Sequence, residues 1–405
     1  MIELPESGSP LVSVVMVLYG GWPRIREALE AVRSHTEVPS EVVLVDNPAN
    51  DRVRDRLQDE VRGSTVVLND SNVGFGPAAN QGADRARGRY LVFLNGDVLV
   101  RSGWLEPLVE SLEGDPLAGA AVPKFLNGDG TLQEAGGLVF GDGSTRMYGY
   151  GEDPTDARYR FRRYVDYGSA ACLAIRRSTF LEVGGFDPVY VPAYCEDVDL
   201  QLTLRGRGLR TVYEPRSEVV HARFGSAGKE TEAERLVERH TRILRERWTE
   251  VLAARPMPPR DAADHHRFLA SRDADASDRV LVLADRVPGR LLGELAARNR
   301  SGRVTFLATG LDPVPPDAME KLLALGVEVE GPLREHAPWW RDRLFHYTAV
   351  VVVGQDPGWL SKRLHETQPQ ASLIRGNTAA AVAELQRVGL LAEADGSGLH
   401  PEPIR

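Results

Sequence analysis

The strongest constraint on the fold is an alternation of β-forming apolar runs with helical stretches through the first 250 residues. The runs "LVSVVMVLYG", "SEVVLVDN", "STVVLND" and "YLVFLNGD" are short and mostly apolar, which is typical of strands buried on both faces. Helical periodicity over 22–35, a charged stretch over 51–62 and an Ala-rich segment ending near Gly88 separate them. This βαβ series predicts an α/β domain with a mainly parallel sheet covered by helices.

Later segments predict an insertion, a linker and a second domain. Residues 126–167 are rich in glycine and turn residues and predict a hairpin-rich insertion or flap. A long polar helix is expected over about 230–254. Residues 255–277 are rich in Pro, Ala and Asp without an apolar period, which is typical of a linker. The predicted organisation is a first domain over 1–254, this linker, and a second domain over 278–405.

The second domain repeats the alternation on a smaller scale. Its strand-like runs are "RVLVLAD", "RVTFLAT", "GVEVEG", "TAVVVVG" and "ASLIRG", each separated by a helical stretch. Five such strands predict a smaller Rossmann-like α/β domain. The segment after the first run, "ADRVPGRLLG", lacks the G-x-G-x-x-G pattern, so the sequence does not support a nucleotide site there.

Charge and cysteine content exclude several classes of protein. The formal net charge of -9 disfavours nucleic acid as a partner, because binding to phosphates needs a basic surface. The two cysteines, Cys172 and Cys195, are too few for a disulfide framework. Neither a signal peptide nor an apolar run of about 20 residues is recognisable, so we expect a cytoplasmic protein.

Polar residues follow the predicted parallel strands at the point where each strand ends. Tyr19 follows the first strand, Asp46 the second, segment 69–76 the third, and Asn95 and Asp97 the fourth. In open parallel sheets ligands bind outside the carboxyl ends of the strands, so these groups are expected to share one rim. The alternative is that Asp46 forms a turn and Asp97 caps the next helix.

A second acidic group and one histidine come later in the chain. The segment "YCEDVDLQLTLRGRG" places Glu196, Asp197 and Asp199 at the start of a predicted helix. Carboxylates there favourably face the helix dipole, which is one explanation for them. The other is a positioned carboxylate that takes a proton from a hydroxyl nucleophile. His221 follows an apolar strand and is either structural or, with oxygen ligands, part of a Mn²⁺ or Mg²⁺ site.

The joint order of six motifs resembles glycosyltransferase family 2, most closely its bacterial rhamnosyltransferase-like members. The motifs cover about residues 11–250 and are "VVMVLYG", "VLVDN", "NVGFGPAANQG", "FLNGD", "SAACLAIRRSTFLEVGGFD" and "EDVDLQLTLRGRG", followed by the His after "SEVV". The resemblance implies a GT-A fold with a mixed, mainly parallel sheet, a nucleotide-diphosphate sugar donor, a divalent cation (Mg²⁺ or Mn²⁺) and inversion at the anomeric carbon. The second domain resembles half of a GT-B enzyme, and we expect it to mediate assembly or acceptor docking.

The resemblance also implies roles for individual residues on the nucleotide side. Tyr19 would lie by the nucleotide and Asp46 would hydrogen-bond the base. Asn72 and Gly74 would belong to the uridine or thymidine pocket. Asn95 stands at the first position of the D-x-D motif and is assigned to the same donor-nucleotide site.

Metal and base assignments follow from the same resemblance. Asp97 matches the last acid of the D-x-D motif, which holds the metal on the diphosphate, and His221 matches the His that completes metal binding in several members. Because the first motif position is an amide, compensation of the metal charge rests more heavily on Asp97. Asp197 matches the catalytic base of the "ED" motif, and Glu196 is its catalytic neighbour.

Three further residues are assigned to the donor sugar and acceptor. Gly185 and Asp187 of "GGFD" sit where the family shapes this pocket. The Q-x-x-R-W pattern of processive members is reduced to Gln201 and Arg205, which favours addition of a single sugar. Arg205 is therefore kept as a candidate on the acceptor side.

The sequence thus predicts an inverting glycosyltransferase that acts in cell-surface polysaccharide synthesis. It would transfer a sugar, rhamnose being preferred, from a UDP- or dTDP-sugar to a hydroxyl of a glycan or polyprenyl-linked acceptor. A sugar-nucleotide nucleotidyltransferase is less favoured, because "LYGGWPRIREAL" is a poor match to the Gly-rich, basic loop of that class. A non-catalytic sugar-nucleotide-binding scaffold is a third alternative, and a homo-oligomer is also left open.

The predicted helix after residue 230 supports two interpretations. It carries Arg235, Arg239, Arg242, Arg245 and Arg247, with Glu residues between them. One interpretation is an ordinary solvated face. The other is that the arginines meet the phosphates of a polyprenyl-linked acceptor, in peripheral contact with the inner face of the plasma membrane.

Overall fold

The chain forms two compact units, which are described separately. The computed structural model describes residues 1–48, 53–156, 159–160, 162–221, 230–253, 255, 257–258, 278–298, 302–309, 315, 318, 321–322, 327–330, 347–354, 358–367 and 371–387. The first unit comprises 1–139, 143–154 and 164–249, and the second comprises 140–142, 155–163 and 250–405. Most of the predicted linker, 255–277, lies outside the described residues, so the domain limits stay predictions.

The elements up to residue 253 lie mostly in the first unit. Up to residue 253 the strands are β1 (Ile2–Glu3), β2 (Val12–Leu18), β3 (Ser40–Asp46), β4 (Val61–Arg62), β5 (Ser64–Leu68), β6 (Tyr90–Asn95), β7 (Val98–Val100), β8 (Ala118–Leu126), β9 (Leu132–Glu134), β10 (Gly137–Val139), β11 (Thr145–Met147), β12 (Arg163–Val165), β13 (Cys172–Arg176) and β14 (Arg210–His221). The helices are α1 (Trp22–His35), α2 (Val53–Glu60), α3 (Phe75–Arg85), α4 (Glu106–Glu113), α5 (Arg177–Val183), α6 (Glu196–Gly206), α7 (Glu230–Arg247) and α8 (Thr249–Ala253).

One mixed sheet forms the centre of this unit. Its main path is β12-β14-β8-β13-β6-β2-β3-β5, and β7 and β9 pair with β14 and β8. The four neighbours β6, β2, β3 and β5 are parallel, whereas β13 is antiparallel to both β6 and β8. Strands β2 and β3 are buried along their whole length because helices cover the sheet. The predicted α/β fold with a mixed, mainly parallel sheet is confirmed.

Local details differ from the sequence predictions in ways that bear on the site. Asp97 was expected to end the fourth strand, but β7 begins at the next residue and pairs antiparallel with β14. Helix α4 begins only at Glu106, so Asp97 does not cap it. The insertion contains the predicted hairpin, formed by β10 and β11, but its strand β9 joins the main sheet beside β8. The predicted long polar helix is divided into α7 and α8.

The second unit contains a separate parallel sheet. Its described strands are β15 (Asp278–Ala284), β16 (Gly302–Ala308), β17 (Glu328–Glu330), β18 (Ala349–Val353) and β19 (Ser372–Gly376), in the order β17-β16-β15-β18-β19. Its described helices are α9 (Gly289–Arg298), α10 (Trp359–Thr367) and α11 (Thr378–Arg387). The five strands are those that the sequence predicts, and the Rossmann-like assignment stays a prediction. Across both units, none of the helices in the described ranges has the length and apolar character needed to cross a bilayer.

Candidate active site

The carboxyl ends of three neighbouring strands bring the first candidate residues to one edge. Leu18, directly before Tyr19, pairs with Asp46 across β2 and β3. Val17 pairs with Asn95 across β2 and β6. Because these strands are parallel and in register, the polar residues that follow them lie along the same rim of the sheet.

Asp46 presents a buried carboxylate at this rim. Its Oδ2 accepts a 3.3 Å hydrogen bond from Nε of Arg54, which also donates to the backbone carbonyl of Asn69. Burial raises the pKa of Asp46 above its usual range, and Arg54 opposes that shift. Oδ1 is buried and has no hydrogen-bond partner among the described residues. An unsatisfied buried acceptor of this kind is suited to a donor group of a ligand.

The loop before α3 is held by its own amide side chains. Asn47 donates to Oδ1 of Asn72 at 2.8 Å and accepts from the Val73 amide at 2.9 Å. Oδ1 of Asn72 also accepts the Gly74 amide at 2.8 Å. Gly74 has φ +90°, and a Cβ there would lie 3.0 Å from the carbonyl oxygen of Pro192. The loop therefore requires glycine at 74, and Asn72 serves first to shape the backbone beside the rim.

Asp97 and His221 lie side by side, with 3.6 Å between Oδ1 and Nε2. The pairing of Val98 with His221 across β7 and β14 sets this distance. Their side chains are only 11% and 16% exposed, and Oδ2 of Asp97 has no hydrogen-bond partner in the described part of the chain. Carboxylate and imidazole ligands together suit Mn²⁺ or Mg²⁺. No group of three or more His, Cys, Asp or Glu side chains that could hold a metal occurs within the described ranges, so this pair would supply two protein ligands.

A short backbone segment connects the end of β6 to the acidic start of α6. The carbonyl of Ala171 accepts from the Asn95 amide at 2.9 Å, and the amide of Ala170 donates to Oδ2 of Asp197 at 3.2 Å. Oδ1 of Asp197 accepts the amide of Val198 at 2.8 Å. The carboxylate of Asp197 is thus fixed beside the same rim that carries Asn95.

Glu196 and Asp197 differ in how their charges are stabilised. Burial raises the pKa of Asp197 above its usual range, while its two backbone amide donors favour the ionised form. Burial and the charge of Asp197 raise the pKa of Glu196 further, and its Oε2 has no partner among the described residues. Glu196 therefore binds a proton more readily than Asp197 does. Two carboxylates separated in this way can act as a retained acid and an available base.

The two residues before this pair have an unusual backbone. Tyr194 has φ +79° and Cys195 φ +72°, the left-handed region that non-glycine residues rarely adopt. The side chain of His240 on α7 is fully buried, and its Nδ1 lies 3.0 and 3.1 Å from the carbonyl oxygens of Ala193 and Tyr194. Non-glycine residues held in this strained backbone conformation cluster at functional sites, where the surrounding structure stabilises them.

Comparison with known proteins identifies the family of residues 13–183. Residues 13–183 match the family model "Glycosyl transferase family 2". The chain is 29% identical over 243 residues to "N-acetylglucosaminyl-diphospho-decaprenol L-rhamnosyltransferase" of Mycobacterium tuberculosis (strain ATCC 25618 / H37Rv), covering 54% of this chain and 78% of the relative. Residues 13–183 belong to a glycosyltransferase family 2 domain. The predicted family is confirmed.

Two further similarities are more partial. "O-antigen biosynthesis protein RfbC" of Myxococcus xanthus is 29% identical over 233 residues, covering 54% of this chain and 18% of that protein. A solved structure, "Crystal structure of GalNAc-T7 with UDP, GalNAc and Mn2+", matches with TM-score 0.49 and 20% identity, covering 60% of this chain and 50% of that chain. The relatives thus include a rhamnosyltransferase and an O-antigen biosynthesis protein.

The "GGFD" segment is held mainly by internal contacts. Gly185 has φ +73°, and a Cβ there would lie 2.6 Å from Oδ1 of Asn80. Asn80 exchanges two hydrogen bonds with the backbone of Phe186, at 2.8 and 2.9 Å. Asp187 accepts the Val189 amide at 2.9 Å and pairs with Arg247 of α7 at 2.5 Å. Asp187 therefore fastens α7 to this segment.

Three other residues of α6 have contacts or positions of their own. Asp199 is buried and accepts hydrogen bonds from Tyr190 at 3.1 Å and Trp248 at 2.7 Å. Arg205 lies near the C-terminal end of α6, about 12 Å along the helix axis from Asp197. Arg205 and Asp197 therefore lie at opposite ends of α6. Gln201 is buried and hydrogen-bonds both the amide and the carbonyl of Gly168.

Sequence reasoning missed the contribution of strand β9 in the insertion. Gln133 and Glu134 are consecutive and both buried. Gln133 contacts His221 through Nδ1 at 2.8 Å, and Glu134 accepts the Ser169 amide at 2.9 Å. The only sequence signal was two adjacent polar residues in a short apolar context, "TLQEAGG".

Proposed function

We propose that this protein is an inverting glycosyltransferase that transfers a sugar from a UDP- or dTDP-sugar to an acceptor hydroxyl. One observation carries the proposal: Asn95 and Asp197 are joined through Ala170 and Ala171, while Asp97, two residues beyond Asn95, faces His221. Asp97 and His221, which could hold a cation, and Asp197, which could act as a base, are thus all connected to the end of β6. Donor activation and acceptor deprotonation need these two functions close together.

The donor would bind along the rim of the sheet. Asp46, with an unsatisfied Oδ1, would accept a hydrogen bond from the nucleotide base, and Tyr19, Asn72, Gly74 and Asn95 would complete its pocket. The observed pair fits a divalent cation, since both side chains are nearly buried and Oδ2 of Asp97 is unsatisfied. Asp97 and His221 would hold Mg²⁺ or Mn²⁺, whose charge would offset the charge that develops on the departing diphosphate.

Asp197 would act as the general base. Its ionised carboxylate would take the proton of the acceptor hydroxyl as that oxygen attacks the anomeric carbon from the face opposite the diphosphate. The bond to the diphosphate would break as the new glycosidic bond forms, which inverts the configuration. Glu196, protonated, would preserve the low charge of this enclosed site, and Gly185 and Asp187 would shape the pocket for sugar and acceptor.

The relatives suggest the class of sugar and acceptor. The mycobacterial protein is named an L-rhamnosyltransferase acting on a diphospho-decaprenol lipid, and the Myxococcus protein is named for O-antigen biosynthesis. We therefore propose rhamnose as the donor sugar and a glycan or polyprenyl-linked acceptor. The cytoplasmic location and an oligomeric state stay predictions.

Helix α7 gives mixed support for contact with a membrane. Arg247 is committed to Asp187 and to Asp199. The side chains of Arg235, Arg239, Arg242 and Arg245 are exposed, but so are Glu234, Glu238 and Glu246 on the same helix. The face is nearly balanced in charge, which favours the solvated interpretation. Flotation with anionic vesicles tests this, and the absence of binding at low salt would end the membrane proposal.

A donor assay separates the proposed function from its alternatives. The full chain is incubated with UDP- and dTDP-sugars and Mn²⁺, and release of the nucleotide diphosphate is measured. Donor turnover that is lost in Asp97→Ala supports glycosyl transfer. Nucleotide binding without turnover on any acceptor supports a scaffold, and formation of a sugar nucleotide from a sugar phosphate and a nucleoside triphosphate supports a nucleotidyltransferase.

A further inference from the structure

A directional chain of hydrogen bonds leads from the insertion to the imidazole of His221. It begins at Asn127, whose amide nitrogen donates to the backbone carbonyl of Leu132 at 3.2 Å. A carbonyl oxygen can only accept, so the orientation of the Asn127 amide is fixed. Its Oδ1 therefore points the other way and accepts from Nε2 of Gln133 at 3.0 Å.

The orientation of Gln133 is fixed independently by a second backbone carbonyl. Its Nε2 also donates to the carbonyl of His221 at 2.9 Å. The remaining amide oxygen, Oε1, lies 2.8 Å from Nδ1 of His221. Because Oε1 can only accept, the hydrogen must be on Nδ1. Gln133 is only 3% exposed, so water does not readily substitute for this acceptor.

This assignment decides what His221 presents to Asp97. With the hydrogen on Nδ1, neutral His221 carries a lone pair on Nε2, which is the atom 3.6 Å from Oδ1 of Asp97. That separation is too long for a hydrogen bond, and two acceptors that face each other have no favourable direct contact. A cation between them would satisfy both atoms.

We propose that Gln133 is a positioning residue that fixes His221 in the Nδ1–H tautomer, so that Nε2 is available as a ligand opposite Asp97. The inference rests on the proposed function for the cation that would occupy this place. It extends that function by assigning a role to β9, because partners of a ligating histidine orient its ring and set its tautomer. The insertion would thereby control the metal pair without touching the metal.

The tautomer is measured directly on the full chain. The protein is labelled with ¹⁵N at histidine, and long-range ¹H–¹⁵N spectra are recorded near pH 8, with His221 assigned by the loss of its signals in His221→Asn. We expect the wild type to show a protonated Nδ1 and an unprotonated Nε2. Gln133→Leu, which removes the acceptor at similar volume, should shift His221 to the Nε2–H form that free histidine prefers in water.

The affinity for Mn²⁺ is the second measurement. Binding of Mn²⁺ in the presence of UDP is measured by electron paramagnetic resonance, and Gln133→Leu should weaken it by about 10–100-fold. A wild-type His221 in the Nε2–H form would overturn the inference. So would a Gln133→Leu protein that is folded by circular dichroism and has unchanged tautomer and Mn²⁺ affinity.

The results that would contradict the proposed function differ from those that would contradict the role of Gln133. A protein with the expected tautomers in the wild type and in Gln133→Leu, but no turnover of any donor, would contradict the transferase proposal and still support the role of Gln133. Donor turnover together with a His221 tautomer that does not change in Gln133→Leu would support the transferase proposal and contradict the role of Gln133. The spectra therefore test the role of Gln133 and the donor assay tests the reaction.

Discussion

Replacement of Glu196 by glutamine should make the stability of the protein less dependent on pH. Burial and the charge of Asp197 raise the pKa of Glu196 well above its usual range in the folded protein. In the unfolded chain the pKa of the same carboxyl is about 4.3. Between these two pKa values the folded protein keeps a proton that the unfolded chain releases. The wild type must therefore lose stability as the pH rises through this window.

The size of this pH dependence follows from the single proton that Glu196 binds. The free energy of unfolding of the wild type should fall by up to about 1.4 kcal/mol per pH unit within the window. Glutamine is neutral at every pH, so Glu196→Gln lacks this slope. The difference in unfolding free energy, variant minus wild type, should grow as the pH rises above about 5 and level off below about 4.

Urea denaturation followed by circular dichroism over this pH range measures the difference. Glu27→Gln is the matched control, because Glu27 is exposed on α1 and the same chemical change there should leave the pH dependence as in the wild type. Parallel stability curves for wild type and Glu196→Gln would refute the assignment of a proton to Glu196. They would also remove the argument that Asp197 is the ionised member of the pair.

Two further predictions concern the contacts that frame the site. Gly185→Ala should lower the free energy of unfolding by at least about 1–2 kcal/mol, because φ is +73° and the new Cβ would displace Asn80; an unchanged urea midpoint would contradict the left-handed conformation. Arg247→Met should cost about 1–3 kcal/mol, less than the loss of a fully buried pair because the arginine side chain is 43% exposed. It leaves Asp187 and the buried Asp199 without their cation, and a loss below about 0.5 kcal/mol would show the contact to be a surface pair.

Much of the site rim could be predicted from sequence because it depends on local patterns. An apolar run that ends in a polar residue gives the strand and its carboxyl end together, as at Asp46 and Asn95. Parallel pairing then places those ends side by side without further information. The expectation failed where the next element was too short to be recognised, since the three-residue strand β7 gives no periodic signal after Asp97.

Contacts between segments far apart in sequence could not be predicted. Gln133 and His221 are 88 residues apart, and a glutamine in a turn-rich insertion has no local pattern that indicates its partner. Arg247 belonged by sequence to a row of exposed arginines, yet helix packing turns it toward Asp199. Asn72 is assigned to a nucleotide pocket by its motif, and the structure adds that its side-chain oxygen shapes the loop.

The most direct test of the proposed mechanism is the rate of sugar transfer by the Asp197→Asn variant. The change keeps the volume of the side chain but removes the base, so single-turnover transfer should fall by about 10²–10⁴-fold while the donor still binds in calorimetry. Donor binding should survive because the assigned nucleotide residues, Asp46 among them, are unchanged. Transfer at the wild-type rate in a variant that binds donor normally would contradict the assignment of Asp197 as the base.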